Sequence, residues 1–299
     1  MKEFAVLSAC MKYQREQLSP FVKSWKNNVP DADLVMFVDQ ITPETTAWLL
    51  EEGVQLVPAS FCKFQAGAER RRYLRHQALE GATSIFLFLI GLFSKKSNPQ
   101  TARIRQAMLD VNSSRFNDYL NFLRLFGSRY SSVFLADCRD LIFQDTPFPS
   151  QGLHTFEERD TIGNSRMARL WFEWTYGRSF WRRLSKHAFL CSGTILGDTA
   201  SILQLLALMV RECCNQQANH GEDQIVLNYI IHHLQLACTT HSCGTGGVIT
   251  LHSAQLEDLD IVDGKLCDLN GAVIPVVHQY DRVPGLAEQL AALRNCREA

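Results

Sequence analysis

Val133-Phe134-Leu135-Ala136-Asp137-Cys138-Arg139-Asp140 runs on into Leu141-Ile142-Phe143-Gln144, and this stretch decides the fold. Four apolar residues giving way abruptly to charge read as a buried strand that ends at a surface crevice. In open α/β sheets, ligands sit in the crevice outside such strand ends. Two carboxylates held there suit a hard divalent cation, most commonly Mg²⁺ or Mn²⁺ shared with a diphosphate. The plainer alternative is a turn in which Asp137 caps the next segment and Arg139 pairs with an acid. The D-x-x-D spacing alone leaves the two equal.

The segments before this stretch supply the rest of a sheet. Phe4-Ala5-Val6-Leu7 reads as a first strand, followed by a helix through Trp25. Asp33 to Val38 is a second strand. Thr42-Pro43-Glu44 opens a helix with an N-cap and a proline at the first helical position, and that helix stops at Gly53. Val54 to Val57 is a third strand, ended by Pro58. Strand, helix, strand, helix, strand predicts α/β architecture with a mostly parallel sheet covered by helices. Ala66 to Glu80 and Thr101 to Phe126 look helical, the second with Phe116, Leu120, Leu123 and Phe126 on one face. Further on, helices are expected over Ser165–Trp174, Thr199–Cys213 and Asp223–His233, and strands over Phe189–Leu196 and Ala272–Val277. The tail from Pro284 to Arg297 reads as an amphipathic helix with Leu286, Leu290 and Leu293 on one face. No linker divides the chain, so one domain is expected over 1–299, with a nucleotide-binding first half (1–150).

Composition narrows the function class. The 299 residues are 46% hydrophobic and 20% charged, which suits an ordinary globular chain with a substantial core. A net charge of −1 offers no general field for DNA or RNA and argues against a nucleic-acid partner. The N-terminus, Met1 to Gln14, is too briefly apolar and too soon charged for a secretory signal. The ten cysteines include no C-x-x-C pair, so reduced thiols and a cytoplasmic location are expected. Cys238, His241 and Cys243 lie close together, and a turn between helix and strand explains them better than a soft-metal site. The apolar run Ile85–Phe93 is roughly half the ~20 residues a spanning helix needs. It excludes a transmembrane segment there, and Lys95-Lys96 after it leaves peripheral contact with a membrane surface open.

Three further motifs follow the acidic one. Cys191-Ser192-Gly193-Thr194 is a small-residue segment feeding a strand. Gly221-Glu222-Asp223-Gln224 puts Asp223 and Gln224 in the first turn of a helix, where Asp223 is either a sugar-facing group or a plain cap. Val276-Val277-His278-Gln279-Tyr280-Asp281-Arg282 hands His278 from a buried strand to a surface loop. In this order the four motifs resemble those of GT-A fold glycosyltransferases with a D-x-R-D variant of the acidic motif, and are similar in motif order to the retaining, glycogenin-like group. The resemblance implies a GT-A, Rossmann-like mixed sheet and transfer of a sugar from a nucleoside diphosphate such as UDP to a hydroxyl of a glycan or other acceptor. It implies a divalent metal, Mn²⁺ or Mg²⁺, held by Asp137, Asp140 and His278. Asp223 and Gln224 would face the transferred sugar, Ser192 and Gly193 would line its pocket, and Arg115, Tyr119, Arg139, Ser8 and Ala9 would meet the nucleotide. The H-x-x-G-x-x-K-P segment of the glycogenin-like group is absent, so Arg282 stands in for its lysine beside the diphosphate. Which acid takes which metal position, and whether the anomeric configuration is kept, are left open by these motifs.

Two rival classes share this sheet. A sugar nucleotidyltransferase would carry a glycine-rich phosphate loop after the first strand, which Ser8-Ala9-Cys10-Met11-Lys12 lacks. A non-catalytic nucleotide-sugar-binding protein would keep the fold without turnover. Arg115 has its own plain alternative, an ion pair with Asp118 on the same helix. Trp171, Trp174, Tyr176 and Trp181, interleaved with Arg178, Arg182 and Arg183, read as core and lid packing in preference to an acceptor platform.

Overall fold

A computed structural model describes residues 2–60, 111–148, 151–216 and 221–293. The expected helix over Ala66–Glu80, the run Ile85–Phe93 and the first part of the helix from Thr101 lie outside the described residues. The fold is α/β, a seven-stranded mixed and mostly parallel sheet flanked by helices. Its strands are β1 (Phe4–Met11), β2 (Ala32–Asp39), β3 (Gln55–Pro58), β4 (Ser132–Ala136), β6 (Leu153–Thr161), β7 (Ala188–Asp198) and β8 (Thr239–His241). Their spatial order is β3-β2-β1-β4-β7-β6-β8. β3, β2, β1 and β4 run parallel, while β7 is antiparallel to both β4 and β6.

Side-chain alternation explains why these strands are apolar nearly throughout. On β1, Ala5 and Leu7 join one core with Val35, Phe37, Val133 and Leu135, while Val6 joins another with Leu34, Met36, Phe134 and Ala136. Both faces are covered, so the central strands are apolar nearly throughout, and a polar residue there, such as Ser8 on β1, is buried and hydrogen-bonded to the neighbouring strand. The first face packs under α3 (Val111–Phe126), α6 (Thr199–Gln216) and α7 (Glu222–His232). The second packs under α1 (Arg15–Asn28) and α2 (Pro43–Glu51). Thr42 caps α2 as expected, its hydroxyl accepting from the Thr45 amide with Pro43 at the first position.

The chain proceeds from β1 outward through β2 to β3 and then returns to β4 on the other side of β1. That reversal is the topological switch point, where a crevice opens at the carboxyl ends of β1 and β4. Asp137 is the first residue past the end of β4.

A smaller sheet, ordered β5-β12-β9, stands beside this crevice, with β5 at Leu141–Phe143, β9 at Val248–Thr250 and β12 at Val276–His278. The four residues from Asp137 to Asp140 are therefore the whole connection from β4 of the large sheet to β5 of the small one. Gln144, just after β5, is buried and saturated: its amide nitrogen donates to Leu266 O (3.0 Å) and Ile274 O (2.8 Å), and its oxygen accepts from Leu266 N (2.9 Å). This clamps β5 to the hairpin of β10 (Asp260–Val262) and β11 (Lys265–Cys267).

Three expectations are corrected. The strand sought over Ala272–Val277 is the three-residue β12, and it includes His278. The amphipathic helix expected over Pro284–Arg297 is interrupted: α8 (Leu286–Gln289) stops at Leu290, whose φ of −80° and ψ of 122° are extended, the chain is helical again at 291–293, and residues 294–297 lie outside the described residues. The Ala291 amide is drawn off to Gly264 O at 2.9 Å, and Leu286, Leu290 and Leu293 still share one buried cluster. Thr239–His241, expected in a turn, is edge strand β8 paired with β6. Between β6 and β7 lie α4 (Arg166–Thr175) and α5 (Arg178–Leu184). Among the described residues no helix is long and apolar enough to cross a membrane.

Candidate metal centre

Asp137, Asp140 and His278 come together at the switch point. One ligand atom from each lies within 4.8 Å of the others. The register of the small sheet does this: Leu141 on β5 pairs with His278 on β12, and Gln279 N donates to Asp140 O at 2.6 Å. His278, expected to emerge into a loop, is instead 1% exposed at the end of its strand. Gln279, immediately after it, takes a left-handed φ of 59°, a conformation that a non-glycine residue holds only when its surroundings impose it.

His278 has two unlike nitrogens. Nδ1 sits 3.4 Å from Thr250 Oγ1 and 3.5 Å from Cys191 Sγ, which orient the ring from behind. Nε2 is buried and, among the described residues, has no hydrogen-bond partner. It points between Asp137 Oδ2 at 3.7 Å and Asp140 Oδ1 at 3.6 Å, both too long for a hydrogen bond. Oxygen and nitrogen ligands of one Mg²⁺ or Mn²⁺ lie roughly 2.0–2.2 Å from it, hence roughly 3–4 Å from each other. An orphaned imidazole nitrogen and two carboxylates at that separation fit a divalent cation in both donor type and spacing.

The backbone is shaped to allow this. A Cβ placed on Gly193 would lie 2.5 Å from Asp137 Oδ2 and 2.9 Å from His278 Cε1. Glycine at 193 therefore leaves room for two of the three ligands, a closer constraint than the strand bulge or sugar-pocket role that its small-residue motif suggested. The Gly193 carbonyl also accepts from the Asp137 amide at 2.9 Å, tying β7 to the end of β4.

Behind the cluster, Arg115 on α3 joins it to the second motif. Its guanidinium bonds Asp137 Oδ1, donates to Asp223 Oδ2 at 3.1 Å and reaches Ser192 O at 3.2 Å. Ser192 Oγ donates to the same Asp223 oxygen at 3.0 Å. Asp118, the alternative partner one turn along α3, instead accepts from Ser60 N at 3.0 Å and from the Ser60 hydroxyl. Asp223 is buried in the first turn of α7, whose N-cap is Gly221. Gln224 Nε2 donates to Glu158 Oε1 (2.7 Å) and Leu190 O (3.1 Å).

The charges are strongly coupled. Burial would push Asp137 up, but the Arg115 guanidinium and His278 outweigh it and hold this carboxyl well below the usual carboxylate range. Burial likewise works against the Arg115 charge, yet Asp137 and Asp223 raise it further above an already high value. Burial raises Asp140; His278 pulls the other way, and Asp137 and Asp281 add to the rise. For His278, burial opposes the charged form while the Cys191 sulfur, Asp137 and Asp140 carry it well above the ordinary imidazole value. A cluster that draws a proton onto its imidazole is one that favours positive charge at its centre.

The remaining candidate residues take other places. Ser8 is fully buried and its hydroxyl donates to Ala136 O at 2.7 Å, so it ties β1 to β4 and presents no hydroxyl outward. The Ala9 carbonyl accepts from Cys138 Sγ at 3.2 Å. Tyr119 is a core residue, its ring edge-on to Phe37 and Phe116. Arg139 and Arg282 stand half-exposed at the rim and share Asp281, at 2.7 and 3.3 Å; Arg282 also comes within 3.9 Å of Asp140. Glu158, Cys191 and Thr250 support the site and were not singled out as site residues from the sequence. Cys191 opens the small-residue motif, but its place behind His278, like the roles of Glu158 and Thr250, depends on a neighbour distant in the chain. Compared with protein-family models and with curated protein sequences, the chain finds no match.

Proposed function

We propose that this protein is a metal-dependent glycosyltransferase that moves a sugar from a nucleoside diphosphate to an acceptor hydroxyl. The observation that carries the reading is the buried, unpartnered His278 Nε2 facing Asp137 and Asp140 at the switch point. Asp137, Asp140 and His278 would hold Mn²⁺ or Mg²⁺. That ion, when bound, neutralises charge developing on a diphosphate leaving group.

The chain's own residues supply the rest. Arg115 stays charged and fixes the carboxylates of both Asp137 and Asp223, so the metal half and the sugar half of the site move as one piece. Asp223 keeps its second oxygen, Oδ1, outside the bonds to Arg115 and Ser192, and a sugar hydroxyl would donate to it. Gln224 is oriented by Glu158 and the Leu190 carbonyl, with its own carbonyl oxygen left to accept from a substrate hydroxyl. Arg139 and Arg282 at the rim are cations of the geometry that binds phosphate oxygens.

A screen of sugar nucleotides with Mn²⁺, reading release of nucleoside diphosphate and the product anomer by NMR, tests the proposal. Turnover of at least one donor that stops on chelation is expected. Binding of a nucleoside diphosphate without turnover of any donor, with or without acceptor sugars, would instead identify a non-catalytic binding protein.

A further inference from the structure

Residues 166–187, which form α4 and α5, carry six lysines and arginines against one acid, Glu173, in a chain whose net charge is −1. The single acid is already engaged: Glu173 accepts from Arg169 at 3.1 Å and lies 3.7 Å from Arg178. Arg166, Arg182, Arg183 and Lys186 are exposed, and among the described residues none of them meets a carboxylate.

Apolar surface is exposed on the same element. Met167, Leu170 and Trp174 follow at helical spacing along one stripe of α4, with Met167 48% and Trp174 67% exposed. That stripe faces away from the core, because α4 buries Ala168 and Phe172 into a small cluster with Leu184 of α5, Phe189 and Ile225. Both helices thus bury toward one core and turn their opposite faces outward together. The outer surface combines an aromatic and a thioether side chain with unpaired guanidinium groups.

We propose that the outer face of α4 and α5 docks on an anionic lipid bilayer. Trp side chains favour the boundary between headgroups and acyl chains, apolar side chains beside them bury into it, and neighbouring cations meet lipid phosphates. A polyanion such as nucleic acid would use the arginines and leave the Met167–Leu170–Trp174 stripe in water. A second copy packed through a two-fold would set the same cations against each other. The bilayer alone uses both features.

The inner side of α4 touches the segment that leads to Asp223. A Cβ on Gly221 would lie 2.5 Å from Trp171 Cζ2, so α4 rests against the turn that presents Asp223. Docking does not depend on the catalytic reading, and it is measured without substrate.

Sedimentation with vesicles decides it, using the full chain. Binding is expected to vesicles of phosphatidylcholine with about 30 mol% phosphatidylserine and to be lost with phosphatidylcholine alone. Replacing Arg182→Gln together with Lys186→Gln should lower the partition coefficient roughly twenty-five-fold, about fivefold per charge. Trp174→Ser should weaken binding while leaving both charges in place. All three positions are exposed, and an unchanged circular-dichroism melt shows that the variants fold. No binding to the anionic vesicles, or binding that none of these substitutions reduces, overturns the proposal. Retention of single-stranded RNA in place of vesicles, or a dimer that dissociates on Trp174→Ser, would also overturn it.

Discussion

His241 and His278 were both singled out among metal-type side chains, and among the described residues His278 alone of the two turns an unpartnered nitrogen toward neighbouring carboxylates. His241 on β8 lies near Cys238 and Cys243 in the chain, and in space it stacks on His154 at 5.1 Å between ring centroids. Its Nε2 is 2.8 Å from His154 Nδ1, and His154 Nε2 is 2.8 Å from Gln151 O. Cys243 Sγ donates to Thr250 O at 3.3 Å, and Cys238 shares contacts with Thr155 and Thr240. His241 Nε2 and the two sulfurs are thus each engaged by a neighbour. His278 lies more than a hundred residues from Asp137 and Asp140, yet its Nε2 is unspent and faces both. Convergence of unpaired donors makes a site, and closeness in sequence does not.

The largest expected effect is at Asp140. Asp140→Ala should abolish metal-dependent turnover and weaken Mn²⁺ binding by about a hundredfold or more, beyond the 10- to 100-fold typical of residues that only orient a ligand. His241→Ala should leave Mn²⁺ affinity unchanged by the same titration. A loss of Mn²⁺ binding in His241→Ala would break the comparison.

Glycines sharpen it further. Gly193 and Gly246 each have a histidine where a Cβ would go: His278 Cε1 at 2.9 Å for Gly193 and His241 Nδ1 at 2.2 Å for Gly246. Gly246 also has a left-handed φ of 65°. Alanine at either position should destabilise by about 1–3 kcal/mol in urea titration. Only Gly193→Ala should reduce Mn²⁺ affinity as well, since only there does the clash displace two ligands.

The small sheet that carries His278 can be probed away from the ligands. Gln144→Ala leaves Leu266 N, Leu266 O and Ile274 O without their side-chain partner, and a loss of about 2 kcal/mol is expected on denaturant unfolding. The smallest effect is at Asp198, ahead of α6. Its carboxylate accepts from the backbone amides of Ser201 and Gly152, both at 2.8 Å, which hold its pKa below the ordinary 3.8. Asp198→Ala should cost about 1 kcal/mol as a lost cap. A depressed carboxylate contributes fully above its unfolded pKa and loses that contribution as pH falls through the folded one. The difference between wild type and variant should therefore be flat from neutral pH down to about 4 and shrink below it, read from melts across that range.

The sheet was legible because β1, β2 and β4 are covered on both faces and leave an apolar run that ends where the cover ends. Asp137 and Asp140 were legible for the same reason, as charges at the end of such a run. His278 was found as a candidate, but its burial was not, because that depends on the Leu141–His278 register set between distant segments. For Arg115 helical spacing left an ion pair with Asp118 as the plain alternative to a nucleotide contact, whereas the fold gives its guanidinium to Asp137 and Asp223 and gives Asp118 to Ser60. Glu158 carries no sequence signal at all: it is one acid in a charged strand, and its bond to Gln224 exists only because β6 and α7 meet.

Titration of UDP by calorimetry, with and without Mn²⁺, on wild type and Asp140→Ala tests the central claim most directly. Tight binding to wild type is expected only when Mn²⁺ is present, lost on chelation and lost in the variant. UDP binding that neither chelation nor Asp140→Ala alters would contradict it.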